Sequence, residues 1–394
     1  MTERRVSETL ATVLLVSLSF VLGCSEFVML GVEPAVAEGL GVPLSDVGDL
    51  VGRFALVYAV CTPILGITTG RFRRYALLVA YLAVFNVGNL LAGLASSYGM
   101  LYLARVLTAS VSGSLLACAM TFVPDLVRQE RQASVISLIY AGFSIASVLG
   151  VPAGTMLCGI FGWNVAFLVV FALGLAVSVA LLAVLPRTGS TDEPATVAQQ
   201  LEILSEGRVL LNIALVLLGA AGTYVFYTYI TAYLETLFGM TAAGVSAFLV
   251  VVGVATVISN LSSGVVASRW GVRGLLPGYA AQALLLAGLF VTRGSLALCL
   301  ANIFCIGVVM YLSNSPCTAL FLEVASNEHP HAMTFASALQ PMSFNIGIAL
   351  GSSVGGVVVN GPGLALVGPV GAALAVGAFA VCLVLSVVQR RVRA

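Results

Sequence analysis

The chain has 394 residues, 60% of them hydrophobic and 8% charged, with a formal net charge of +1; soluble domains carry about 25% charged residues. No soluble fold of this length hides so much apolar surface, and the near-zero charge gives no global argument for nucleic acid as a partner. The composition is that of a polytopic membrane protein, with the lipid bilayer as its surroundings.

Arg4 and Arg5 precede an apolar run, as in a signal peptide, but the run is too long and has no clear cleavage site, so it reads as a retained first span. Twelve stretches approach the roughly 20 apolar residues that a helical crossing needs. They lie at about 9–31, 47–69, 74–95, 99–123, 133–156, 163–185, 208–232, 242–265, 274–292, 295–317, 332–356 and 366–388. The expected organisation is a six-helix bundle over 1–185, a polar linker over 186–207 and a second six-helix bundle over 208–394. Within the linker, Val197 to Glu206 has the pattern of a short helix. Arg4, Arg5, Arg71, Arg73, Arg74, Arg128, Arg131, Arg187, Arg208, Arg269, Arg273, Arg390, Arg391 and Arg393 then fall on one side and Arg293 on the other. The positive-inside rule makes that side, with both termini, cytoplasmic. Arg53 and Arg105 fall inside spans.

Span 1 contains Glu26 between Cys24-Ser25 and Phe27-Val28-Met29. A charge at that depth costs roughly 2.5 kcal/mol or more and is kept where it faces a partner or a wet path. A carboxyl group can also take up and release a proton, which makes Glu26 the first candidate for proton coupling; the plainer alternative is a static ion pair with Arg53 or Arg105. Glu33 lies seven residues on and shares that face. Because Pro34 follows and the span is ending, an outer-surface position is the nearer reading for Glu33, with proton coupling the second. In span 2, Arg53 follows Asp49 by four residues, so a local bridge competes with a cavity-facing cation. Arg105 in span 4 competes with snorkelling toward the outer end.

The second half is different in kind. Span 7 carries Tyr224, Phe226, Tyr227, Tyr229 and Tyr233. Buried Tyr hydroxyls need partners; Tyr224 and Tyr227 are candidates for lining a substrate cavity together with Met29, Phe344, Asn314 and Asn345, whereas a membrane-interface position would suit Tyr233 and Tyr229. Asn314, Gln340 and Asn345 are also suited to hydrogen bonds between helices. His329 and His331 read as exposed loop residues. Eight cysteines without CxxC or Cys/His spacing read as packing residues, so no metal site is expected.

The halves repeat one loop: Gly66-Ile-Thr-Thr-Gly70-Arg71-Phe joins spans 2 and 3, and Gly264-Val-Val-Ala-Ser268-Arg269-Trp joins spans 8 and 9. Two like six-span halves are the sequence trace of a rocking transporter. With Ser25-Glu26-Phe27 and Gly31, Arg105 in Leu-Tyr-Leu-Ala-Arg, Gly150-Val-Pro152-Ala-Gly154, Phe161-Gly-Trp163 and Phe344-Asn345-Ile-Gly347, the chain resembles the major facilitator superfamily over nearly its whole length. Within that superfamily it is similar to the drug/proton antiporters and their sugar-efflux relatives, the arabinose efflux permease type. Two features depart from the pattern. Gly70 and Ser268 stand where the superfamily's loop motif carries an Asp, so that Asp's charge relay does not transfer, and Arg53 is not expected in sugar-efflux relatives.

The resemblance implies an all-α membrane protein of twelve transmembrane helices in two pseudo-symmetric six-helix bundles, a monomer in the plasma or inner membrane. It would export a small molecule, drug or sugar, by alternating access against protons, with Arg105 tied to proton transfer. Gly66, Gly70, Arg71, Gly150, Pro152, Gly154, Gly264 and Arg269 would be its gating motifs. The alternative is a proton-independent sugar exporter or uniporter in which Glu26 is structural. No G-xxxx-GK[ST] occurs, so the expected energy source is the proton gradient, without a cofactor. A membrane enzyme would need a nucleophile–base or metal constellation that the sequence does not offer.

Overall fold

The computed structural model describes residues 8–69, 72–186 and 196–393. Among these, every regular element is a helix. In chain order the long helices are α1 (Glu8–Leu40), α2 (Leu44–Thr69), α3 (Arg74–Gly93), α4 (Tyr98–Met120), α5 (Gln129–Phe161) and α6 (Trp163–Val184). There follow α7a (Gly207–Tyr227) with α7b (Ile230–Phe238), α8 (Ala242–Trp270), α9 (Leu276–Thr292), α10a (Leu296–Val309) with α10b (Asn314–Glu328), α11 (Met333–Asn360) and α12 (Val367–Arg393). Eleven helical segments among the described residues are long and apolar enough to cross a bilayer. One of them, Ala242–Thr292, has 51 residues, about 75 Å of helix at 1.5 Å per residue, more than twice a bilayer core of about 30 Å. It is α8 and α9 joined by a 3-10 turn over Gly271–Leu275, which brings the crossings to twelve. Gly271, at φ +56°, makes that turn in a region that side chains avoid.

Helix α1 does not end where Pro34 suggests. It continues to Leu40 with Pro34 inside it, as membrane helices tolerate. Span 10 is not continuous either: the helix breaks at Met310–Ser313. The broken turn frees backbone N–H groups, and two serines of α8 take them: Tyr311 N donates to Ser259 Oγ at 2.9 Å and Ser315 N to Ser263 Oγ at 2.7 Å. Span 7 breaks at Thr228–Tyr229. There the Thr228 and Ser352 hydroxyls are 2.8 Å apart and the Tyr229 hydroxyl donates to the Ser352 carbonyl at 3.2 Å. In a bilayer such breaks persist only where protein satisfies the freed groups.

The contacts divide the chain into two compact units, Met1–Ala35 with Val60–Pro194 and Val36–Ala59 with Ala195–Ala394. The expected bundle over 1–185 differs from this grouping, because the first half of α2 packs on α11. A Cβ on Gly52 would stand 3.0 Å from the Ala349 carbonyl oxygen, Asn360 donates to Ser45 Oγ at 2.6 Å, and Ser353 donates to Asp49 at 3.1 Å. The short helix expected before span 7 is present as Val197–Leu201, closed at its start by a Thr196/Gln199 capping box.

Each unit has its own apolar core. In the first, Leu15, Leu18 and Leu22 of α1 meet Leu82 and Phe85 of α3 and Leu115 of α4. In the second, α7a runs along α11 and α12, burying Leu215, Leu339 and Leu385 together.

Candidate functional site

In the first unit, α1 and α5 approach closely because both carry small residues at the contact. A Cβ on Gly23 would lie 2.6 Å from the Ala146 Cβ, and one on Gly31 2.5 Å from the Val151 carbonyl oxygen. Gly150 faces Cys24 and Gly154 faces Val28 in the same seam, which runs past Pro152 inside α5. Thr155 Oγ1 closes it by donating to the Gly31 carbonyl at 3.0 Å. Close backbone approach through small residues is how membrane helices associate without a hydrophobic drive.

Arg105 is pinned beside this seam. It is 2% exposed, so it does not snorkel. Its Nη1 donates to the Ser25 carbonyl at 2.6 Å and its Nη2 to the Glu26 carbonyl at 3.3 Å. A helical carbonyl already serving its own helix keeps a second lone pair, and Arg105 uses it. The guanidinium also lies 5.9 Å from the centre of the Phe167 ring. Ser25 is itself held, its hydroxyl donating to Asn89 Oδ1 at 2.7 Å, while Asn89 donates to the Phe85 carbonyl. The backbone that presents Glu26 is thus fixed from α3 and α4.

The Glu26 carboxyl is left out of this network. It is half-buried, interacts through space with the Arg105 charge, and makes no hydrogen bond or salt bridge among the described residues. The expected alternative of a static Glu26–Arg105 ion pair is not what the structure contains: Arg105 binds Glu26's backbone, not its carboxylate. Glu33 corrects the outer-surface reading. Because α1 runs on past Pro34, Glu33 is 0% exposed, and neither carboxyl oxygen has a hydrogen-bond partner among the described residues. Among the described residues, Glu33 and Arg105 are the buried charged side chains.

Arg53 is in the second unit and half-exposed, with its Nε 2.5 Å from Asp49 Oδ2, the local bridge that the i, i+4 spacing suggests. Met29 is fully buried in α1.

The second unit gathers neutral polar and aromatic groups. The rings of Tyr224 and Tyr227 are 5.6 Å apart, Tyr224 and Phe344 5.9 Å, and Tyr311 and Phe344 5.6 Å. Beside them runs an amide chain: Gln340 donates to Asn314 Oδ1 and Asn314 to Asn260 Oδ1, each at 2.9 Å. Asn345 is buried and donates to the Pro341 carbonyl of its own helix. Tyr229 and Tyr233 are fully buried, and Tyr233 donates to the Leu289 carbonyl at 3.3 Å. Tyr311, Asn260, Ser259 and Ser263 escaped the sequence reading, although Ser259-Asn260-Leu261-Ser262-Ser263 is a dense polar run inside an apolar span.

Of the loop motifs, Gly70 and Arg71 lie outside the described residues, and Gly66 sits in α2. In the second copy Gly264 has open space around it, so no close contact requires a glycine there, and Arg269 is exposed. His329 is half-buried, its Nε2 3.7 Å from Glu206 Oε1.

Residues 15–352 match the model of the Major Facilitator Superfamily. The chain is 32% identical over 378 residues, 96% of each protein, to the uncharacterized MFS-type transporter YtbD of Bacillus subtilis (strain 168). It is 30% identical over 360 residues, 91% of each, to the inner membrane transport protein YdhP of Escherichia coli (strain K12). A probable sugar efflux transporter of Mannheimia succiniciproducens is 26% identical over 360 residues, 90% of this chain and 88% of that protein. A crystal structure of a bacterial homologue of the human lysosomal transporter Spinster, inward-facing and occupied, superposes with a TM-score of 0.79 at 16% identity over 98% of each chain, a likeness of fold alone.

Proposed function

The chain belongs to the Major Facilitator Superfamily, so it is a multi-pass membrane transporter and not an enzyme, and we propose that it exports a neutral small molecule in exchange for protons. The observation that carries the reading is the Glu26 carboxyl: half-buried, without a partner among the described residues, and under the field of an Arg105 that the α1 backbone holds in place. A fixed cation beside a free acid is an arrangement in which protonation and substrate can exclude one another. Glu33, about 10 Å further along the same helix at 1.5 Å per residue, is the second acid of the proton path.

The substrate would meet the aromatic and amide cluster of Tyr224, Tyr227, Phe344, Asn314 and Gln340. That cluster offers apolar walls and neutral hydrogen-bonding groups but no charge, which suits a sugar or an uncharged drug. The name of the sugar-efflux relative points the same way. On this reading the bundles 1–185 and 208–394 alternate access around the 186–207 linker, with Gly150, Pro152 and Gly154 at the moving seam. The protein works as a monomer in a bacterial inner membrane, both termini cytoplasmic, on the proton gradient and without a cofactor.

The test is a proteoliposome assay with a pH-sensitive dye inside and a panel of pentoses, disaccharides and cationic, neutral and anionic drugs. A substrate-triggered pH change, lost in Glu26→Gln, is expected. Full coupling in Glu26→Gln overturns the role of Glu26, and substrate flux without any pH change establishes the uniporter instead.

A further inference from the structure

The second unit carries a groove of about 1220 Å³ at the arginine-rich end of α8, α9 and α10. Its walls include Val266, Pro277, Ala281, Leu312 and Ala319. Arg269 and Arg273 also line it, both exposed and neither in an ion pair among the described residues. Glu323 is the carboxylate on the same wall. Two guanidinium groups against one carboxylate leave a net charge of +1, which a single phosphodiester neutralises.

An apolar track leads to those arginines. Val254, Ile258, Leu261 and Val265 are 50%, 41%, 71% and 47% exposed. Their spacing of four, three and four residues keeps them on one face of α8, and four residues later that face reaches Arg269. The eleven steps from Val254 to Val265 make about 16 Å of helix, close to one leaflet of a core about 30 Å thick. Trp270, 58% exposed beside Arg269, is the residue type that sits at headgroup level.

We propose that this groove binds the headgroup of an anionic phospholipid, with its phosphodiester between Arg269 and Arg273 and an acyl chain along the Val254–Val265 track. The track sets the arginines at the edge of the bilayer, where the phosphodiester of a lipid whose acyl chain lies along α8 is already at hand; a soluble anion would draw on the charge alone.

Tryptophan fluorescence tests this in the whole protein. The chain has two tryptophans, so Trp163→Phe leaves Trp270 as the reporter. The protein is reconstituted with brominated phosphatidylglycerol or brominated phosphatidylcholine at equal mole fraction. Stronger quenching by phosphatidylglycerol is expected, with enrichment of about fivefold per arginine. The preference should fall in Arg269→Gln and in Arg273→Gln, vanish in the double variant, and persist in Arg293→Gln, which changes the net charge equally elsewhere. Both sites are exposed, and unchanged melting of the single variants verifies the fold. Equal quenching by the two lipids overturns the proposal, as does a preference that survives the double variant or is lost equally in Arg293→Gln. Relief of quenching by soluble glycerol phosphate also overturns it, since the site would then be one for free anions.

Discussion

The two units bury polar groups in opposite ways. The first holds charge: Arg105 and Glu33 are sealed inside, and Glu26 is half-sealed beside them. The second holds neutral groups within its helices, tyrosines, amides and hydroxyls; its described ion pairs are the half-exposed Asp49–Arg53 bridge on α2 and, at helix ends, those of Glu206 with Arg208 and of Arg208 with Glu328. The helices follow the same division. Near Arg105, α1, α3 and α4 run unbroken, so the charged groups sit on rigid frames; α7 and α10 break beside the aromatic and amide cluster. A fixed charge needs a frame that does not relax around it, whereas a neutral cluster tolerates the local adjustments that a broken helix allows. On the function proposed above, the contrast becomes a division of labour, with proton chemistry in one unit and substrate contact in the other.

The largest effect expected from breaking this contrast is at Arg105. Arg105→Met removes two charged hydrogen bonds to α1, at about 1.5–3 kcal/mol each, and removes the field on Glu26. Transport should be lost and melting in detergent lowered; a variant that melts and transports like the parent would refute the fixed-cation frame. Next in size is the α1–α5 seam. Gly31→Ala drives a methyl to 2.5 Å from the Val151 carbonyl and should cost about 1–3 kcal/mol. Gly264→Ala has open space and should be neutral or up to about 1 kcal/mol more stable, because alanine is the better helix former. The melting temperature of Gly31→Ala should therefore fall while that of Gly264→Ala holds or rises; equal losses would mean that the seam is not where the glycine requirement lies.

The sequence carried the membrane class, the twelve crossings and the repeated loop because hydropathy over about 20 residues is a long, redundant signal. Glu26 and Arg105 stood out for the same reason, as charges against an apolar background. Glu33 was misplaced by a rule that belongs to soluble helices: Pro34 suggested an end, but neighbouring helices in a membrane supply what the missing N–H takes away. Nothing local announces the break at Thr228–Tyr229, and at Met310–Ser313 the one local sign is Pro316, which has no N–H for the Leu312 carbonyl; both breaks rest on hydroxyls of α8 and α11 that are close only in the folded chain. The same holds for Tyr229 and Tyr233, whose hydroxyls are committed to carbonyls inside the unit. Assignment of Val36–Ala59 to the second unit is likewise tertiary, set by which helix the glycines of α2 meet.

The finest test of the division of labour is Gln340. Its amide is half-buried and donates to Asn314, which donates in turn to Asn260, so the chain of amides presents a fixed order of donors and acceptors. Gln340→Ala removes one interhelical hydrogen bond, worth about 0.6 kcal/mol in a membrane, so melting should barely change. If the cluster contacts substrate and does not titrate, KM should rise about threefold, the same energy expressed as an affinity, while the dependence of export on pH keeps its shape. Glu26→Gln, which mimics the protonated carboxyl, should instead flatten the pH profile. Measured side by side at several pH values, the two variants either separate along those axes or move together. If Gln340→Ala displaces the pH profile as Glu26→Gln does, the two units share one titrating network and the division drawn from their buried groups fails.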